Sequence, residues 1–247
     1  MADSHPRTAA ALIIGNELLN GKVHEQNLFS LAGALRALGI ALQRVVMIPD
    51  EMERIVAEVL LLSANFDQVF TSGGVGPTHD DLTVAAVAKA FGAEVVVHDQ
   101  MAEMIRAHFG AQLRPGHLLM ARIPVGCTLV REEDGKWPTI LMHNVWLLPG
   151  VPEIFRMRLP AIKRHLAGGQ PFVSRAVYTN LDEGNLVFLL EDVVRRFPKV
   201  DVGSYPKWND PTYRTKLTFD SLDADDVAGA CEAFVAMLPD GEPMRVT

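Results

Sequence analysis

The stretch Thr71-Ser72-Gly73-Gly74-Val75-Gly76-Pro77-Thr78-His79-Asp80-Asp81-Leu82-Thr83 decides the reading of this chain. It follows the short apolar run Gln68 to Phe70 and precedes a helical pattern from Val84 to Phe91. A glycine-rich turn between strand and helix brings bare backbone N–H groups and a helix N-terminus together, which makes an anion site. The adjacent carboxylates Asp80 and Asp81 would repel a phosphate there. A bridging divalent cation removes the conflict, because hard cations take carboxylate and phosphate oxygens together. The pattern predicts a phosphate-bearing ligand held with a metal. The plain alternative is a strand-to-helix turn with Asp80 or Asp81 as N-cap and the glycines serving turn geometry.

Outward from this loop, strand and helix patterns alternate. Ala9 to Ile14 reads as a buried strand ending at Gly15, and Leu28 to Leu38 as a helix closed by Gly39. Ala41 to Ile48 reads as a strand closed by Pro49-Asp50, and Ile55 to Leu62 as a helical stripe. After the glycine loop come a strand at Glu94 to His98 and a helix from Gln100 to Phe109. Such alternation predicts right-handed parallel crossovers with helices on both faces of a sheet. Short β segments follow, the best being Thr139 to His143 and Val145 to Leu148. Pro152 then suits the first turn of a helix reaching Leu166.

The expected fold is α/β: a three-layer α/β/α domain with a mostly parallel sheet over residues 8–166. Ala167 to Pro171 reads as a linker. A small α+β domain is expected over 172–247. Its strands are Phe172 to Thr179, Asp201 to Tyr205 and Tyr213 to Phe219, and its helices Glu183 to Arg196 and Asp226 to Leu238.

Composition narrows the function classes. The chain has 247 residues, 49% hydrophobic and 21% charged, which is ordinary for a soluble globular protein. A net charge of −7 and scattered Lys and Arg argue against nucleic acid as a partner. No apolar run reaches the roughly 18 residues a membrane span needs, and the N-terminus has no signal-type apolar segment. Cytoplasmic residence without membrane association is the expectation. The two cysteines, Cys127 and Cys231, form no CxxC or Cys/His cluster, so a structural zinc site is not expected.

A second constellation stands at the end of the first strand: Gly15-Asn16-Glu17-Leu18-Leu19-Asn20-Gly21, then His24 and Asn27. Ligands of doubly wound sheets bind outside the carboxyl ends of the strands, so this loop and the glycine loop should open on one edge. Glu17 is suited to a metal or a water, and Asn16 and Asn27 to a base, pterin or ribose. The alternative is a solvated loop whose Asn and Gly residues serve turns. His79 is suited to a phosphate, the alternative being a merely exposed loop histidine. Arg122, Arg131, Lys136 and His143 are further cations, each more ordinary as surface. The glycine loop is neither a dinucleotide fingerprint, lacking the third glycine, nor a Walker A site, lacking Gly-Lys-Ser/Thr.

Together the two constellations resemble the MogA/MoaB-like molybdopterin-binding domains, above all their CinA branch. Gly15 to Gly21 is similar to that branch's Gly-Asp-Glu-Leu-Leu-x-Gly. Thr71 to Thr83 is similar to Thr-x-Gly-Gly-x-Gly-Pro-Thr-x-Asp-Asp-x-Thr, and Leu148-Pro149-Gly150-Val151-Pro152 to the segment ending the domain. The tail, Val202-Gly203-Ser204-Tyr205-Pro206 and Tyr213-Arg214-Thr215-Lys216-Leu217, resembles the region that follows in CinA-like proteins and eukaryotic FAD synthases. The resemblance implies metal-dependent pyrophosphatase activity on ADP-ribose or FAD, or binding or adenylylation of molybdopterin. It implies a divalent Mg, Mn or Co ion, a nucleotide or pterin ligand and a homo-oligomer. Asp81, Glu17 and Asp80 would be the catalytic and metal residues. Gly15, Asn16, Asn27, Ser72, Gly73, Gly74, Gly76, Pro77, Thr78, His79, Thr83, Pro149 and Gly150 would bind the ligand. One position departs from the family: Asn16 stands where an Asp is usual, which removes a charge from any metal site. No room remains for the amidohydrolase domain of full-length CinA proteins, so that activity is not expected.

Overall fold

The apolar run near the start of the chain becomes β1 (Arg7–Ile14), whose last six residues are all buried. The computed structural model describes residues 7–131, 137–208 and 211–247. It divides the chain into two compact units, Met1–Gly169 and Gln170–Thr247.

In the first unit, β1 is followed by a single turn of helix, α1 (Asn16–Leu19), then α2 (Asn27–Arg36) and β2 (Ile40–Ile48). Next come α3 (Met52–Asn65), β3 (Gln68–Ser72), α4 (Thr83–Ala90), β4 (Val95–Val97) and α5 (Asp99–Phe109). Two 3₁₀ turns lead to β5 (Arg122–Pro124), β6 (Thr128–Val130), β7 (Thr139–Met142), β8 (Val145–Leu147) and α6 (Pro152–His165). The central sheet runs β2-β1-β3-β8-β7-β6. Its β1–β2, β1–β3 and β3–β8 pairings are parallel, and β6–β7 and β7–β8 are antiparallel.

Because β1 has a strand on each side and a helix layer on each face, alternate residues feed two cores. Ala10, Leu12 and Ile14 meet Ile55 and Val59 of α3, Val87 of α4 and Ile105 of α5. Ala9, Ala11 and Ile13 meet Leu31 and Leu35 of α2 and Phe155 and Ile162 of α6. This is the expected three-layer α/β/α domain with a mostly parallel sheet. One strand goes elsewhere. The alternation predicts 94–98 as a further parallel strand, yet β4 pairs antiparallel with β5 in a separate ribbon. It has three residues, and none of them is buried, so it lacks the two covered faces of a central strand.

The second unit consists of β9 (Val173–Thr179), α7 (Glu183–Arg196), β10 (Asp201–Pro206), β11 (Thr215–Ser221), α8 (Ala224–Val235) and β12 (Arg245–Val246). Its sheet order is β10-β11-β9-β12 with every pairing antiparallel. That βαββαβ order is the ferredoxin-like arrangement. Asp182 and Asp223 cap α7 and α8 through the N–H groups of Asn185 (3.1 Å) and Asp225 (2.9 Å). The short β12 has no counterpart in the sequence reading, because two residues carry no periodicity. Among the described residues, no helix is long and apolar enough to cross a membrane.

Candidate functional site

The carboxyl ends of β1, β2, β3 and β8 open on one cleft of about 860 Å³. Its floor is the glycine turn. Gly73 and Gly74 follow β3 with φ of 104° and 66°, in the region that favours glycine. Gly73 N–H donates to the Leu148 carbonyl at 3.1 Å, which ties the turn to the chain after β8. The Gly73 carbonyl accepts from the Thr83 hydroxyl at 2.7 Å, which ties it to the start of α4. A Cβ on Gly73 would overlap the Ile14 carbonyl oxygen at the end of β1, so only bare backbone fits between these strands.

Asp81 shapes the rest of the loop. Its Oδ2 accepts from the Thr78 N–H at 2.8 Å and from the Thr78 hydroxyl. Thr78 also acts on Asp80: its hydroxyl is the largest influence holding that exposed carboxyl below its ordinary range. Thr78 thus links the two adjacent acidic positions, bonded to Asp81 and favouring the charged form of Asp80.

Of the residues expected to form the site, Glu17, Gly73, Gly74, Gly76, Pro77, Thr78, Asp80, Asp81, Pro149 and Gly150 all line the cleft. Six others do not. Asn16 is exposed, and its backbone N–H donates to Asp50 Oδ2 at 2.8 Å. Gly15 is buried and spent on the Ile48 carbonyl (3.2 Å). His79 is 97% exposed, with Nδ1 3.8 Å from Asp80 Oδ1, and is not among the residues lining the cleft. Ser72 and Thr83 are buried, with their hydroxyls in internal bonds.

Asn27 differs most from its expected role. It is 4% exposed, and its Nδ2 donates to Ser72 Oγ (2.9 Å) and the Gly150 carbonyl (2.8 Å). Its amide nitrogen clasps the loops together, while its Oδ1 has no hydrogen-bond partner. Glu25 holds the first turn of α2 beneath it, accepting from the Asn27 and Leu28 N–H groups at 2.8 and 3.0 Å.

Two charged cleft residues were not singled out by sequence reasoning. Asp50 follows β2, which runs parallel to β1 with Ile48 opposite Ile14, so it arrives on the same edge as Glu17. Arg158 reaches the cleft from α6, and its Nη1 donates to the Trp137 carbonyl at 2.6 Å. Burial pulls its guanidinium below the ordinary value, but it remains a cation at neutral pH. Of the other cations considered, Arg122, Arg131 and His143 are not on the cleft, and Lys136 lies outside the described residues.

Among the described residues, the cleft sets four carboxylates, Glu17, Asp50, Asp80 and Asp81, beside Arg158 and His108. Its other wall is apolar, with Met101, Phe109, Met120, Trp137 and Met157. His108 stands edge-on to Trp137 at 5.3 Å. Among the described residues, no three His, Cys, Asp or Glu side chains converge as a ready-made metal cage. Hard-oxygen donors without a cage still suit a Mg²⁺-type ion, which is commonly held by one or two carboxylates together with substrate phosphates.

Residues 10–166 match the family described as "Probable molybdopterin binding domain", and residues 171–246 match "FAD synthase, middle domain". A protein of Archaeoglobus fulgidus is 30% identical over 92% of this chain and 96% of its own length. The "Probable FAD synthase" of Caenorhabditis briggsae is 29% identical over 92% of this chain and 49% of its own, so the chain spans about half of that relative. The crystal structure of "the protein CinA with unknown function" from Thermoplasma acidophilum superposes with a TM-score of 0.59 at 30% identity. That likeness covers 65% of this chain and 98% of the other. The glycine turn, the Glu17 loop and the Pro149-Gly150 segment all fall inside the first match, and the chain belongs to the molybdopterin-binding domain family, of MogA/MoaB-like fold.

Proposed function

We propose that this chain is a metal-dependent hydrolase that cleaves the pyrophosphate of a nucleotide such as ADP-ribose or FAD. The observation that carries the reading is the make-up of the cleft among the described residues: bare glycine backbone, one arginine and four carboxylates beside an apolar wall. The glycine turn and Arg158 hold the pyrophosphate oxygens, the cation through charge-assisted hydrogen bonds. Met101, Phe109, Trp137 and Met157 take a planar ring and exclude water from that end. Glu17, Asp80 and Asp81, with Asp50 beside them, would hold the ion. A Mg²⁺, Mn²⁺ or Co²⁺ ion there supplies polarisation of a phosphoryl oxygen and a lowered pKa for bound water. Glu17 and Asp81 are the side chains available to take the proton of the attacking water. The loop bonds of Asp81 fix its orientation for that task.

The match to a FAD synthase middle domain in residues 171–246 supports a ligand of the flavin nucleotide kind. The match to a molybdopterin-binding domain supports a second reading, in which the same cleft holds molybdopterin or a related phosphorylated pterin without hydrolysis. Incubation with ADP-ribose, FAD and NAD in Mg²⁺, Mn²⁺ or Co²⁺, with products resolved by chromatography, separates the two. Appearance of AMP from at least one substrate, abolished by chelator, is the expected result. Tight pterin binding with no product from any substrate would move the assignment to the binding reading.

A homo-oligomer also fits. The sheet ends at β2, whose open edge exposes Val45 (43%) and Met47 (39%), an arrangement that invites a partner strand or surface. Sedimentation velocity should show a species larger than one chain.

A further inference from the structure

The ferredoxin-like unit carries a feature that the cleft chemistry does not use. Val177, Leu217 and Phe219 of its sheet pack against α7 and α8. Strand side chains alternate between faces, so Tyr178 and Lys216 project from the opposite face. The register sets Arg245 opposite Tyr178, Tyr178 opposite Lys216, and Lys216 opposite Tyr205. Directly opposed residues share a face. Four strands therefore carry one row in which cation and aromatic alternate.

The row is in contact around Tyr178. Arg245 Cζ lies 3.9 Å from the Tyr178 ring centroid, and Lys216 Nζ lies 5.9 Å from it. Tyr213 stands edge-on to Tyr178 at 4.9 Å with Lys207 Nζ 4.9 Å over its own ring. At the far end the Tyr205 ring lies over Gly203, where an added Cβ would come within 2.8 Å of it. The neighbouring Thr218 is only 8% exposed, and its hydroxyl has no hydrogen-bond partner. Tyr205 itself is 54% exposed.

Charge sharpens the picture. Residues 170–247 contain eight Lys or Arg and thirteen Asp or Glu, so the unit is acidic, yet this row collects Lys216 and Arg245 with Lys207 nearby. Burial raises the Tyr178 phenol, but hydrogen bonds to Arg245 and Thr247 and the charges of Lys216 and Arg245 outweigh it and bring the group below its ordinary value. The local field is positive.

We propose that this row is a second ligand site, which takes one phosphorylated planar ring such as AMP or FMN. The ring stacks at the tyrosines, which accept any flat π-face. The phosphate meets Lys216 and Arg245 through charge-assisted hydrogen bonds. The acidic surround disfavours a long polyanion running past the row, so a mononucleotide fits better than a nucleic acid strand. The site does not depend on the cleft or its metal.

Calorimetric titration of AMP and FMN into the full chain in EDTA tests this, with the metal-assisted contribution of the cleft removed. Wild type should bind at least one of them. Lys216→Gln and Arg245→Gln should each weaken binding about three- to tenfold, as expected for partly exposed cations. Tyr178→Phe should keep affinity and Tyr178→Leu should lose it. The metal-dependent hydrolysis rate of the double variant K216Q/R245Q should match wild type, which separates this site from the cleft and also shows that the variant folds. Absence of binding in wild type, or equal affinity in wild type and the double variant, would overturn the proposal. Tighter binding of oligo(dT), with steep salt dependence, would overturn it in favour of a nucleic acid surface.

Discussion

Replacing Gly73 by Ala adds one methyl carbon where β1, β3 and the chain after β8 meet. The residue has φ of 104°, which an L side chain adopts only under strain of about 1–3 kcal/mol. The new Cβ would overlap the Ile14 carbonyl oxygen and lie 3.3 Å from its carbon. That neighbour is backbone in a strand paired on both sides, so it cannot swing aside, and overpacking of this kind costs about 1–3 kcal/mol. A small offset of about 0.4–1 kcal/mol comes from stiffening the unfolded chain. The expected net loss is about 1–5.5 kcal/mol, set against the ~5–15 kcal/mol a domain possesses. Gly76→Ala is the control. Its Cβ would lie 2.6 Å from Asp81 Oδ2, an exposed side-chain atom that can yield toward solvent by loosening its bonds to the Thr78 N–H and hydroxyl. Gly76→Ala should cost less than about 1 kcal/mol of stability while dislodging Asp81 and lowering hydrolysis. Urea unfolding followed by the fluorescence of buried Trp146, with turnover measured in parallel, reads both effects. If Gly73→Ala loses less than about 1 kcal/mol, or if Gly76→Ala loses as much, the geometric reasoning is refuted.

Four further outcomes are expected. Asp81→Asn keeps an acceptor for the Thr78 N–H and should stay within about 0.5 kcal/mol of wild-type stability while losing hydrolysis; unchanged turnover would remove its charge from the mechanism. Arg158→Gln should weaken nucleotide binding about tenfold or more, measured by calorimetry, because a charged donor to phosphate disappears. Asn16→Asp should tighten divalent-metal binding and raise turnover on one pyrophosphate substrate, and identical calorimetric traces would show that the exposed side chain stays outside the site. Burial pushes the Cys127 and Cys231 thiols up, so less thiolate forms at a given pH, and iodoacetamide should label both more slowly than a free thiol at pH 8.

What could be read in the sequence was what depends on local chemistry. The glycine turn was legible because positive φ after an apolar strand has few residue solutions, and the edge it opens on followed from alternating strands and helices. The bonding of Asn27 was not legible because its partners, Ser72 and Gly150, are remote in sequence, and no local signal separates a buried amide clasp from a ligand contact. Arg158 escaped notice because an arginine on an amphipathic helix reads as surface. It reaches the cleft only because α6 packs across β6 and β7. Asp50 looked like a turn residue closing β2, and only the register of β2 beside β1 carries it to Glu17's edge.

The meeting of Ile14, Gly73 and Gly150 also bears on how the protein comes into being. A nascent chain that has emerged only through α5 already holds the glycine turn, but not the Leu148 carbonyl that fixes Gly73 or the Gly150 carbonyl that fixes Asn27. The cleft floor exists only once β8 has docked beside β3. Ligand can therefore offer no assistance to the early stages of synthesis. Its stabilising effect falls entirely on the finished domain, where it scales with free ligand over its dissociation constant. Cellular depletion of the ligand should leave the yield of newly folded protein unchanged and shorten only the lifetime of mature molecules.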